Sequence, residues 1–195
     1  MRRALWILSV SALIPLIPFL VIGELPGERW LVATRDNAVW FGATGAALLA
    51  LDMLLPIPSS VIGALLGGRL GLAAGFGCAF VGLCVGHLVG YALGRLAPLR
   101  FAAELPSAPS RALVFLSRPV PVLAEAVAIT AGAERMPLRA FATSMGLGNA
   151  IYAAAMAANG AALLPQGLAG PGLILPMIVP VAGWWIARRR PRRPR

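Results

Sequence analysis

The chain has no lysine, one histidine, two cysteines and seven acidic residues among 195, and each scarcity removes a class of function. With His87 alone, no zinc or other metal set can be assembled, because such sites draw on several His and Cys ligands. Cys78 and Cys84 are six apart on an apolar helix, so their side chains point ~240° apart at 3.6 residues per turn and do not pair within it. No nucleophile with an adjacent base can be drawn from this inventory, so the reading is not an enzyme and needs no cofactor. All 17 basic residues are arginine, giving a net charge of +10, and nearly half of them sit at the two chain ends. A nucleic-acid binder needs a basic face on a soluble fold, and none is present.

Apolar sequence is abundant. Hydrophobic residues make up 59% and charged residues 12%, with a mean hydropathy of +0.82, against about 45–50% apolar and 25% charged in soluble domains. The expectation is one all-α membrane domain.

Arg2 and Arg3 precede an apolar run over 4–22, long enough for a first span with a cytoplasmic start. A cleaved signal peptide is the alternative, but Pro15 and Pro18 interrupt the run and no small-x-small cleavage site follows. Residues 23–37, with Trp30 nearby Trp40, read as an outer interfacial loop. The run 38–51 meets Asp52 and then Pro56-Ile57-Pro58. Two prolines in three residues remove amide donors and restrain their predecessors, breaking the helix at depth. Residues 59–66 are too short to cross alone, so a re-entrant hairpin is the simplest geometry. A full span follows over 71–94, where Gly82, Gly86, Gly90 and Gly94 make a bare stripe for close helix approach. A basic loop covers 95–111, and a second hairpin runs from Ala112 through Pro119 and Pro121 to Glu134 and Arg135. Residues 141–164 form an alanine-rich span carrying Asn149 and Asn159. Residues 172–187 form the last span before the arginine tail.

With both Pro-x-Pro segments dipping in and returning, nearly all the arginines fall on the cytoplasmic side, as the positive-inside rule requires. The expected layout is therefore about four transmembrane helices plus two opposed re-entrant helical hairpins arranged as an inverted repeat. Its parts are an N-terminal span and outer loop (1–37), a core with both hairpins (38–164), and a C-terminal span with a basic cytoplasmic tail (165–195).

Ionisable groups at membrane depth cost about 2.5–3.5 kcal/mol each on insertion scales, so Asp52, Arg118 and Glu125 need a partner or a polar pathway. Broken helices meeting midway are also how many transporters build a site. Ser59 and Ser60 stand where a half-helix begins and either cradle an anionic headgroup or act as ordinary N-caps. Arg118 either holds that group or snorkels to the cytoplasmic edge. Asp52 either pairs with Arg118 or serves transport directly, and Glu125 either shares the Arg118 face or caps a hairpin tip. His87 reads as a buried neutral imidazole bonded to a carbonyl or to Tyr91, and Asn149 as a link between helices.

Several motifs resemble the DedA family of bacterial inner-membrane proteins, whose shared core is called the VTT or SNARE-associated domain. They are Asp52-x3-Pro56-x-Pro58-Ser59-Ser60, Gly86-His87-x2-Gly90-Tyr91-x2-Gly94-Arg95, Leu116-Ser117-Arg118-Pro119-Val120-Pro121, and Ala131-Gly132-x4-Pro137-Leu138-Arg139-x-Phe141. The resemblance covers roughly residues 38–162. It implies opposed hairpins, multi-pass insertion in the bacterial inner membrane with both termini cytoplasmic, and, for some members, flipping of undecaprenyl phosphate or other phospholipids with proton coupling proposed. Asp52 falls at the family's first acidic position and Arg118 at its first arginine. The second acidic position is Ser60 and the second arginine position Ala124, with Glu125 beside it, which leads away from the proton-coupled, phosphate-specific members.

The leading expectation is a lipid transporter passing an anionic, phosphate-bearing headgroup between the tips, with membrane lipids as partners. A proton-coupled ion or solute transporter and a non-transporting scaffold, the latter suggested by the glycine stripe, are the alternatives, and a homo-oligomer is also open.

Overall fold

Asn37 starts the first long helix by accepting hydrogen bonds from the Val39 and Trp40 amides at Oδ1, the usual device for satisfying exposed donors at a helix start. In the computed structural model, which describes residues 26–96, 109–118 and 123–163, every regular element is helical. The elements are α1 (Gly27–Val32), α2 (Ala38–Leu51), α3 (Ser59–Leu96), α4 (Arg111–Leu116), α5 (Leu123–Ala133) and α6 (Leu138–Leu163). The expected first and last spans, most of the basic loop, and Pro119 and Pro121 lie outside the described residues.

After α2 the chain makes a tight turn, with the Leu54 and Leu55 amides both donating to the Leu51 carbonyl. Pro56 and Pro58 then supply no amide, and helix resumes only at Ser59. α3 is itself broken at Gly71 (φ 79°, ψ 170°), a backbone conformation that is open to glycine and strained for other residues. It therefore consists of two arms, 59–70 and 72–96. A methyl at Gly42 would touch Leu70 and one at Gly45 would strike Leu66, so α2 and the first arm run in opposite directions. Methyls at Gly82, Gly86 and Gly90 would meet Ala46, Ala50 and Met53, so α2 lies parallel to the second arm. The glycine stripe is thus the bed on which the first helical hairpin rests.

The second half repeats this plan with α4 and α5 flanking residues 117–122, followed by α6. α5 crosses the second arm of α3 at Gly94 and Gly132, where a methyl on either would strike the other helix's backbone. The first arm of α3 crosses α6 in the same way at Gly67 and Gly160. Gly67 and Gly132 are 65 residues apart and Gly94 and Gly160 are 66 apart, so the two crossings are equivalent. Each half lends its returning arm to the long helix of the other.

A polar latch secures the turn between α5 and α6. The Tyr91 hydroxyl donates to the Met136 carbonyl at 2.6 Å and accepts from Arg95 Nη1 at 3.1 Å, and its ring stacks on Phe141 at 4.8 Å.

Residues 27–32, expected within an outer loop, instead form α1, packed on the first hairpin. Leu31 is fully buried and Gly27 lies against Ile57 and Ile62. A bare glycine and a leucine four residues on share one helix face, which lets so short a helix dock.

Among the described residues α3 alone is long and apolar enough to cross a membrane, and only 33% of its most apolar window is buried. Val81, Val85, Leu88, Val89 and Leu93 face outward opposite the glycines. α6 has 26 residues but is less apolar, with Asn149 and Asn159 buried in it.

Gly132→Leu and Gly160→Leu should each lower the thermal midpoint in detergent by an amount matching at least the ~1–3 kcal/mol usual for overpacking. Gly77→Ala, where nothing lies within 4 Å, should leave it unchanged or raise it. Equal midpoints for all three would show that the crossings do not hold the halves together.

Candidate functional site

Arg118 follows α4, whose start is capped by Ser110 Oγ accepting from the Leu113 amide. At its end Ser117 Oγ donates back to the Val114 carbonyl. This short helix delivers a full positive charge into the interior, where Arg118 is 7% exposed. It does not snorkel to an edge.

Three groups hold it. Nη1 lies 3.7 Å from Glu125 Oε1 in the first turn of α5 and 3.4 Å from His87 Nε2 on the second arm of α3. Its Cζ stands 4.7 Å above the Tyr152 ring of α6, within cation–π range. His87 Nδ1 is 2.8 Å from the Leu83 carbonyl. That carbonyl can only accept, so the proton belongs on Nδ1, and Nε2 is left as an acceptor facing the guanidinium. His87 is therefore a neutral member of the site, as the sequence suggested, with a carbonyl rather than Tyr91 as its partner.

The two remaining donors, Arg118 Nε and Nη2, are buried and find no partner among the described residues. They share one edge of the planar guanidinium. Two parallel N–H groups on one edge are the fork that carboxylate and phosphate oxygens engage in bidentate fashion. An unmade hydrogen bond at a buried charged donor is costly, so this edge is where the site is incomplete.

Asp52 caps the end of α2 and is half-buried at the first hairpin's tip. It sits near Ser59 and Ile57 and within electrostatic reach of Glu125 and Arg118, while the Ile57 amide donates to the Leu55 carbonyl. The ion pair expected between Asp52 and Arg118 is instead made by Glu125. Glu125 is the nearer partner because it begins the helix that returns from Arg118's own tip. Pro56 and Pro58 are half-buried in the other tip. Ser59 is near both Asp52 and Tyr152, while Ser60 makes no polar side-chain contact among the described residues. The first backbone bonds of α3 come from Val61 and Ile62 to the Pro58 carbonyl, so the Ser59 and Ser60 amides precede the helical ladder.

Asn149 borders the site. Its Nδ2 approaches Met145 Sδ at 3.0 Å and Cys84 Sγ at 3.5 Å. With His87, Ser117 and Arg118 it lines an enclosed cavity of about 10 Å³, the size of about one water. Tyr91, singled out beside His87, belongs to the latch with Met136 and Arg95 and makes no polar contact with Asp52, Arg118 or Glu125 among the described residues.

Tyr152 is the residue that sequence reasoning missed. Its ring carries Arg118 of the second tip, and it interacts with Ser59 and feels the charge of Asp52 at the first, joining the two. The available signal was spacing: one of only two tyrosines in the chain stands three residues after Asn149, on the same helix face.

Removing one member of a buried pair typically costs about 3–5 kcal/mol, whereas replacing both with apolar groups is often neutral. Glu125→Leu should therefore lower the thermal midpoint in detergent markedly, and Arg118→Met combined with Glu125→Leu should recover most of the loss. A double variant no more stable than Glu125→Leu alone would argue against the pair.

No family model, no curated protein and no solved structure matches this chain, so the reading of the site rests on its own geometry and on the motifs given above.

Proposed function

We propose that the chain is a multi-pass inner-membrane protein of the DedA type, and that it moves a lipid by gripping a phosphate oxyanion of the headgroup at Arg118. The observation that carries this reading is the buried guanidinium whose Nε/Nη2 edge has no partner among the described residues, held beside a second helix break at Asp52 and Pro56.

Membrane insertion is supported by the branched aliphatic side chains facing out from the second arm of α3, since a soluble core helix would bury them. Exposed Trp30 and Trp40 suit an interfacial belt. In this reading α2 with the first arm, and α4 with α5, are the two re-entrant hairpins. They enter from opposite leaflets between four spans, with both termini cytoplasmic. The equivalent crossings at Gly67/Gly160 and Gly94/Gly132 support an inverted repeat.

In this mechanism the headgroup's oxygens engage the Nε/Nη2 edge of Arg118, while Glu125, His87 and Tyr152 keep the guanidinium oriented. The Ser59 and Ser60 amides at the start of α3 supply a second donor set facing the same tips. An undecaprenyl phosphate or a glycerophospholipid both present the required oxygens.

Arg118→Lys keeps the charge but loses the fork, and one charge-assisted hydrogen bond of about 1.5–3 kcal/mol corresponds to roughly a tenfold or larger loss. In proteoliposomes loaded with equal amounts of folded protein and a fluorescent phospholipid, Arg118→Lys should move lipid at least about tenfold more slowly than wild type, and Arg118→Ala and Asp52→Ala should abolish movement. Unchanged lipid movement in the alanine variants would refute the proposal. Solute flux that follows a pH gradient without lipid movement would place the chain with ion-coupled solute transporters instead.

A further inference from the structure

The two hairpins are set at different depths along their long helices, and two buried polar groups without partners lie along the path between those depths. Resting on the reading that Arg118 grips a moving headgroup, we infer that Asn159 is a second station for that arginine. In the alternate state α4 and Arg118 stand about two turns farther along α6, with the Nε/Nη2 edge turned to Asn159 Oδ1.

The first observation is a difference in register. In the first half Ala50, six residues before Pro56, lies at Gly86, eight residues short of the crossing at Gly94. In the second half Phe115, four residues before Pro119, lies at Gly148, twelve residues short of the equivalent crossing at Gly160. Counted from the prolines, the first tip reaches about six residues farther along its long helix, ~9 Å at the α-helical rise. A second pair of contacts gives the same difference, with Met53 at Gly90 and Arg118 over Tyr152. The returning arms cross at equivalent glycines, so the entering helices, α2 and α4, carry the difference. Two similar halves held at unequal depths can exchange them, which defines a second arrangement with related packing.

The second observation is what stands on that path. Asn159 is 6% exposed and its Oδ1 has no partner among the described residues, a costly state for a buried acceptor. It is seven residues past Tyr152, which places it ~20° away around the helix and ~10 Å along it. That is the track α4 already follows over Gly148 and Tyr152. Arg118 brings two buried donors without partners, and one amide oxygen has two lone pairs to receive them. Donors and acceptor thus share one face of α6, separated by about the difference in register.

Five residues carry the chain from Arg118 to Leu123 at the start of α5, a reach of up to ~17 Å. α4 can therefore advance while α5 keeps its crossing at Gly94 and Gly132. At the far station the amide oxygen takes the donors that had gripped the phosphate, and the headgroup is released.

The test reads spin-label distances in proteoliposomes of the full chain, between Arg111→Cys and Leu138→Cys, exposed at the starts of α4 and α6, with Cys78→Ala and Cys84→Ser. Asn159→Asp offers the guanidinium a carboxylate and should populate a distance longer by up to ~9 Å, whereas Asn159→Leu should show the shorter distance alone. Both variants should move fluorescent phospholipid at least about tenfold more slowly than wild type. One unchanged distance in wild type, Asn159→Asp and Asn159→Leu, or the longer distance in Asn159→Leu, would overturn the second station. Wild-type protein that moves no lipid would overturn the transport reading, and the distances would still decide the advance of α4. Should Asn159→Asp fail to fold, Phe115→Cys with Ala155→Cys on the same background decides. Those positions are ~10 Å apart along α6 in the present register, beyond the ~7 Å Cα separation a disulfide tolerates. A disulfide that forms under mild oxidation supports the advance, and its absence overturns it.

Discussion

A guanidinium held away from solvent sets the terms for everything around it. The solvation that Arg118 gives up has to be returned by contacts, and the fold returns it with a carboxylate, an imidazole nitrogen and an aromatic face drawn from α5, α3 and α6. Those three elements come from both halves of the chain. The charge therefore acts as a keystone, because no single hairpin contains the groups needed to keep it buried. Two of its donors are left over, and a closed, water-sized cavity lies beside the same side chain.

Bringing so many elements to one point requires helices to approach closer than ordinary side chains permit. The glycines at Gly67, Gly94, Gly132 and Gly160 provide this, since each would strike backbone if it bore a methyl. Where lipid replaces water around a protein, apolar surface offers no drive for helices to associate, and close backbone approach becomes a principal source of cohesion. The crossings also decide geometry, because they bind each returning arm to the opposite long helix. A shift of α5 along α3 would move Glu125 away from His87 and with it the seat of Arg118.

Much of this could be read from the chain. Two proline pairs, each led by an ionisable residue, marked the breaks at Asp52 and Arg118, and the four-residue glycine period identified the packing face of α3. A hairpin that returns before a new span starts at Gly71 implies a reversal there, which the structure shows, but the positive φ of Gly71 that makes it cannot be read from neighbouring residues. α1 was missed because a six-residue helix has too little periodicity to register, and its stability comes from docking Leu31 rather than from propensity. The Arg118–Glu125 pair was left open because proline breaks destroy the angular phase that would relate residues seven apart. Tyr152 went unnoticed for a different reason. In an alanine-rich helix a single tyrosine reads as packing, and only the fold reveals that its ring lies beneath a charge supplied from 34 positions earlier in the chain.

Tyr152 also bears on how the two tips communicate. Its ring contacts Arg118 of the second tip, while Ser59 and Asp52, both of the first, lie in its polar surroundings. Any movement that separates the tips must withdraw the guanidinium from the ring or the hydroxyl from its neighbours. A ligand that engages the free edge of Arg118 pulls on the same side chain, and one that engages Asp52 pulls on the other end of the same aromatic bridge. The two interactions are thus mechanically in series through one residue on α6.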